Sequence, residues 1–92
     1  MASNEIDIAR LKDLAASKKS VIRVFGSLDV HFFSVNPEGE VYSPAMEVIP
    51  EASMDAFFAE TLAHAEKFFI EGRLWKRELN RAELLRLLGE RE

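Results

Sequence analysis

The sequence predicts a small α+β domain in the order α-β-β-β-α-α, and three observations carry that expectation. Apolar residues recur at helical spacing toward both ends of the chain, and β-branched and aromatic residues gather between positions 20 and 42. The four glycines, Gly26, Gly39, Gly72 and Gly89, stand at the ends of these stretches rather than inside them. Ninety-two residues suit one domain, expected to span 1–92. A hydrophobic fraction of 48% with seven phenylalanines is too apolar for a disordered chain and supplies enough bulk for a core.

The first helix is expected over residues 4–17. Asn4 or Ser3 can cap it, Ile8, Leu11, Leu14 and Ala15 form its apolar stripe, and Lys18 and Lys19 suit its negative end. Residues 20–26 read as a strand with Ile22 and Val24 toward the core and Arg23 toward water. After a short connection at Gly26-Ser27, residues 28–35 read as a second strand, with Leu28, Val30 and Phe32 alternating against Asp29 and His31. Asn36-Pro37-Glu38-Gly39 is a turn, because proline is pre-set for the second turn position and glycine tolerates positive φ. A third strand begins at Glu40 and carries Val41 and Tyr42 until Pro44 interrupts it. These three strands make an antiparallel meander.

A long helix is expected from the Ser53 cap to about Glu71, closed by Gly72 and lying across one face of the meander. Its stripe is Met54, Phe58, Leu62, Ala65 and Phe69, with Phe57 and Phe68 together on the flank. Residues 73–79 then lead into a compact last helix. Asn80 and Glu83 form a capping box there, Leu84, Leu85, Leu87 and Leu88 the apolar face, and Gly89 the end.

Charge is unevenly spread. Residues 1–26 carry net +2 and residues 73–92 net +2, whereas residues 27–72 carry net −8, with Lys67 as the sole Lys or Arg. An acidic middle of this kind steers association with a basic partner. Asp29, Glu38, Glu40, Glu47, Glu51 and Asp55 are its candidate contact residues, and Phe57, Phe68 and Trp75 are candidate interface aromatics, since aromatic side chains dominate binding hot spots.

Chemistry is poorly served by this composition. Without cysteine there is neither a disulfide nor a thiolate site. The two histidines, His31 and His64, have no ligand spacing between them, so no metal or other cofactor is expected. No glycine-rich phosphate loop and no nucleophile beside a base can be read from the chain. A non-enzyme is therefore expected. No stretch is apolar enough to cross a membrane and no signal peptide is legible, so the cytoplasm is the expected compartment and a membrane partner is not expected.

The leading expectation is a non-enzymatic protein-binding module. In its sharpest form it is a small acidic inhibitor that blocks a basic, nucleic-acid-handling partner. Phage-encoded inhibitors of bacterial defence, such as anti-CRISPR proteins, have that general character, although no motif is shared. The alternative is a homodimer or an accessory subunit of a larger assembly, formed through the aromatic flank. Direct nucleic-acid binding ranks lower: residues 73–86 hold Arg73, Lys76, Arg77, Arg81 and Arg86 around Trp75, but Glu78 and Glu83 dilute them.

Overall fold

The computed structural model describes residue 6 and residues 8–50 and 61–89. The elements are helix α1 (Ile8–Lys18), strands β1 (Val21–Phe25), β2 (His31–Val35), β3 (Val41–Tyr42), β4 (Lys67–Glu71) and β5 (Lys76–Asn80), and helix α2 (Arg81–Gly89). The strands form one antiparallel sheet in the order β3-β2-β1-β4-β5.

The α+β class is as expected, but the three-stranded meander and the order α-β-β-β-α-α are not: β1, β2 and β3 are part of a five-stranded sheet, and two further strands precede the last helix. The difference lies in residues 67–80. Residues 61–63 are helical, but the chain then leaves the helix, and the segment expected to continue it to Glu71 is β4. Phe68 and Ile70 point into the core while Lys67, Phe69 and Glu71 point away, a two-residue alternation that a helix cannot satisfy. Gly72 accordingly sits in the β4–β5 hairpin, where its N–H donates to the Trp75 carbonyl at 2.9 Å. The expected cap Ser53 and the stripe residues Met54, Phe57 and Phe58 lie outside the described residues.

A second correction concerns β2. The expected core face of Leu28, Val30 and Phe32 is not the buried one. Leu28 is 94% exposed, whereas Phe33 and Val35 are fully buried. Two features shift the face. Residues Ser27–Asp29 form a 3₁₀ turn with Leu28 and Asp29 both at positive φ, and the β1–β2 register breaks between Val24 and Phe25. One extra residue in a ladder exchanges the two faces of a strand. The Phe32 ring then packs over Gly26, where a Cβ would collide with it.

The core lies on one side of the sheet. Ile22 and Val24 of β1, Phe33 and Val35 of β2, Val41 of β3, Phe68 and Ile70 of β4 and Leu79 of β5 face it. Leu11, Leu14 and Ala15 of α1 and Leu84 and Leu88 of α2 cover them, so both described helices occupy the same face. The ends of these helices follow local rules. Helix α1 closes with Ser20 N–H on the Ala15 carbonyl and Lys19 N–H on the Ala16 carbonyl, with Lys19 at φ 51, the paired bonds of a left-handed helix stop. Helix α2 opens with the reciprocal cap read from the sequence: Asn80 N–H donates to Glu83 at 2.9 Å and Glu83 N–H to Asn80 at 2.8 Å.

The β4–β5 hairpin supplies a test of its own. The Trp75 indole lies against Gly72, so that an added Cβ would meet the ring directly. Gly72→Ala is expected to lever the indole away and to cost about 1–3 kcal/mol as an overpacking substitution. Trp75 is the sole tryptophan, so its emission spectrum and a urea titration read both effects; an unchanged spectrum and midpoint would contradict the packing.

Candidate functional site

Of the acidic residues singled out in the sequence, the described ones fall in two places. The turn between β2 and β3 and the return after β3 bring Glu38, Glu40 and Glu47 to one edge of the sheet, all three exposed. Asn36 organises the turn: Glu40 N–H donates to its side-chain oxygen at 2.8 Å, its amide donates to the Glu40 carboxylate at 3.1 Å, and Gly39 takes φ 87. Past Tyr42 the chain reverses at Ser43, whose hydroxyl accepts from Glu47 N–H at 3.2 Å, and Val48 bridges back to Tyr42. Two large apolar side chains are exposed on this return, Met46 at 65% and Val48 at 53%.

Asp29 stands apart from these. It precedes β2 whereas Glu38 follows it, so the length of the strand, roughly 15 Å, separates them. It is also paired, with the Lys67 ammonium 2.6 Å from its carboxylate. That hydrogen bond is the main reason the Lys67 pKa is raised. Glu51, Asp55 and Phe57 lie outside the described residues. Phe68, expected at an interface, is instead fully buried between β1 and β5, because it belongs to a strand and not to the flank of a helix. Trp75 is 47% exposed at the hairpin.

Tyr42 adds a group that the charge pattern did not flag. Its hydroxyl donates to the Glu40 carboxylate at 3.0 Å. This bond, then partial desolvation, then the charges of Glu40 and Glu38, raise its pKa above the ordinary 10.0. A raised phenol pKa means the folded chain favours the neutral form, so the contact stabilises below pH 10.0 and is lost as pH rises through the folded value. Tyr42 is the sole tyrosine, so its ultraviolet ionisation curve can be read directly. Glu40→Ala is expected to bring the midpoint back toward 10.0; an unmoved curve would show that the bond is not made.

On the sheet face away from the described helices, Phe25 stacks on His31 with ring centroids 4.8 Å apart and meets Phe69 edge-on at 5.3 Å. Lys76 lies over the Phe69 ring at 4.7 Å. Arg23 Nε and the Glu71 carboxylate approach to 2.5 Å as an ion pair, although the N–H is not aligned as a hydrogen bond. His31 Nε2 is 3.1 Å from both the Phe33 carbonyl and the Ser34 hydroxyl. An open depression of about 300 Å³ is lined by Gly26, Ser27, Leu28, Asp29, Glu66 and Lys67. Of its three charged groups, Asp29 and Lys67 bind each other, and Glu66 and Ser27 are the other polar side chains in the lining.

Arg81, counted in the sequence with the basic segment, is committed to the fold. Its guanidinium donates to the Leu62 carbonyl at 2.8 Å and to the Ala65 carbonyl at 2.9 Å, satisfying carbonyls where the helical residues 61–63 give way to β4. No sequence spacing marks that role, since its partners lie 19 and 16 residues away. Among the described residues no group of three or more His, Asp or Glu gathers to hold a metal ion, and no helix is long and apolar enough to cross a membrane. The chain matches no family model, no curated protein and no solved structure.

Proposed function

We infer that the protein is a non-enzymatic binding module whose β3 edge docks on a basic protein partner. A single observation carries this reading. Glu38, Glu40 and Glu47 gather at one sheet edge beside exposed Met46 and Val48, within a stretch, residues 24–66, that contains no lysine or arginine. An apolar centre with a charged rim is the usual anatomy of a protein–protein contact. Among the described residues Glu38, Glu40 and Glu47 enter no ion pair, which keeps their field available for steering. In the sharper form of this reading the partner handles nucleic acid, and the carboxylates occupy the groove that phosphates would otherwise fill.

The test is differential capture followed by kinetics. Wild-type protein and a Glu38→Lys/Glu40→Lys/Glu47→Lys variant are used as baits in the native host, and a protein retained only by the wild type is purified for stopped-flow association. A partner held equally by both baits, or one whose association ignores salt, would overturn the reading.

A further inference from the structure

We propose that the β4–β5 hairpin, at the edge of the sheet opposite the acidic one, binds single-stranded nucleic acid, with a base on Trp75 and phosphates on the cations around it. The antiparallel register assembles this surface. Glu71, the last residue of β4, pairs with Val21, the first of β1. The hairpin tip at residues 72–75 therefore sits at the same end of the sheet as the α1–β1 connection. That connection contributes Lys18 and Lys19, and the hairpin contributes Arg73, Lys76 and Arg77; all five are exposed.

These cations are not absorbed by the fold. Among the described residues Lys18, Lys19, Arg73 and Arg77 enter no ion pair, and Lys76 rests on the Phe69 ring. Two carboxylates flank the tip along the chain: Glu71 is taken by Arg23, and Glu78, next to Arg77, pairs across to Phe69 and bears on Lys67. By pleat alternation Lys76 faces the aromatic side of the sheet and Arg77, opposite Ile70, the other side. A chain of phosphates crossing the tip thus meets positive charge on both sides.

The aromatic part of the surface fits a nucleobase. One side of the Trp75 indole is packed on Gly72, which holds the ring in place, while 47% of the residue is open to solvent. A fixed, half-exposed aromatic ring inside a cationic rim is the arrangement that binds single strands without sequence preference. Behind the tip, Phe69, Phe25 and His31 continue an aromatic line across three strands. An anionic lipid surface matches the same charges less well. The β2–β3 turn projects from this same end of the sheet, so a flat anionic surface reaching the tip would also press on Glu38 and Glu40. A flexible strand can follow the β4–β5 side alone.

The probe is a short fluorescein-labelled oligothymidylate, titrated with the full chain while anisotropy and Trp75 emission are recorded. Quenching of Trp75 with saturable binding is expected. The logarithm of the affinity should fall with the logarithm of salt at a slope no steeper than about −3.5, from about 0.7 per cation engaged. Arg73→Glu/Arg77→Glu should weaken binding at least ~10-fold and make the slope shallower by about 1.4, with circular dichroism and melting unchanged. Trp75→Leu should lower affinity while keeping the salt slope. Glu38→Lys, at the other edge, should not weaken binding, which separates this surface from the protein-docking edge. Absence of binding at low salt, binding indifferent to the Arg73/Arg77 reversal, or Trp75 quenching by phosphatidylserine vesicles but not by the oligonucleotide would each overturn the proposal.

Discussion

Phe68→Ala is expected to destabilise the protein by about 3–5 kcal/mol, the range for emptying a buried phenylalanine site. Phe68 is fully buried in an interior strand, facing Val24 on one side and Leu79 on the other, so no side chain can swing in from solvent to fill the space. A chain of 92 residues has about 5–14 kcal/mol of total stability at the usual value per residue, and the substitution removes a large share of it. The neighbour provides the control. Phe69→Ala removes a partly buried ring from the opposite face, together with its edge contact to Phe25 and its cation contact to Lys76, and is expected to cost about 1–2 kcal/mol. A helix through these residues would reverse the order, because Phe69 would lie on the buried stripe and Phe68 on its flank. Urea titration of the two variants decides between the arrangements. Equal losses, or a larger loss at Phe69, would refute the strand.

The reason the sequence favours a helix there is visible in particular residues. Leu62, Ala65 and Phe69 are spaced three and four apart, and the first two are indeed buried, so a helical wheel accepts the third. The competing signal, Phe68 and Ile70 inside with Lys67 and Glu71 outside, spans only five residues. What settles the matter is pairing with β1, which joins Val24 to Phe68 and Ile22 to Ile70 across more than forty positions of chain. Sheet propensity depends on such neighbours far more than helix propensity does. By contrast, the turn at residues 36–39 and the Asn80–Glu83 cap are governed by contacts within a few residues, and the inward pair Ile22 and Val24 follows from alternation about Arg23 within one short strand, so these are legible. The β2 face lies between the two cases: its alternation is local, but the bulge that exchanges its faces is not written in the composition.

The candidate site divides in the same way. That the middle of the chain is acidic can be counted from the sequence. That Glu38, Glu40 and Glu47 lie at one edge, Asp29 elsewhere against Lys67, and Arg73, Lys76 and Arg77 at the far edge requires the strand order. A net charge of −4 conceals a domain polarised across its sheet. Charge of opposite sign at two edges gives a field that would orient such a molecule before contact with a charged partner.

The charge-reversed triple variant Glu38→Lys/Glu40→Lys/Glu47→Lys should therefore show its effect in the rate of association. Each of these side chains is exposed, so each contributes mostly long-range attraction rather than desolvated contact, and rim charges of this kind change association rate and salt dependence more than dissociation. Steering fields accelerate encounter by about 10- to 1,000-fold at low salt. Reversing three of the charges that create the field should remove most of that gain and add repulsion. The wild-type rate should fall as ionic strength rises toward physiological values, where the screening length is about 8 Å, while the variant's rate should rise or stay level, so that the two converge at high salt. Met46 and Val48 supply the complementary arm. They are exposed apolar groups at the same edge, and replacing both with serine should speed dissociation by about tenfold for each ~1.4 kcal/mol of binding free energy removed, leaving association nearly unchanged. Stopped-flow mixing with the captured partner separates the two constants. If reversal alters dissociation alone, or if the serine variant slows association instead, the β3 edge is not the docking surface.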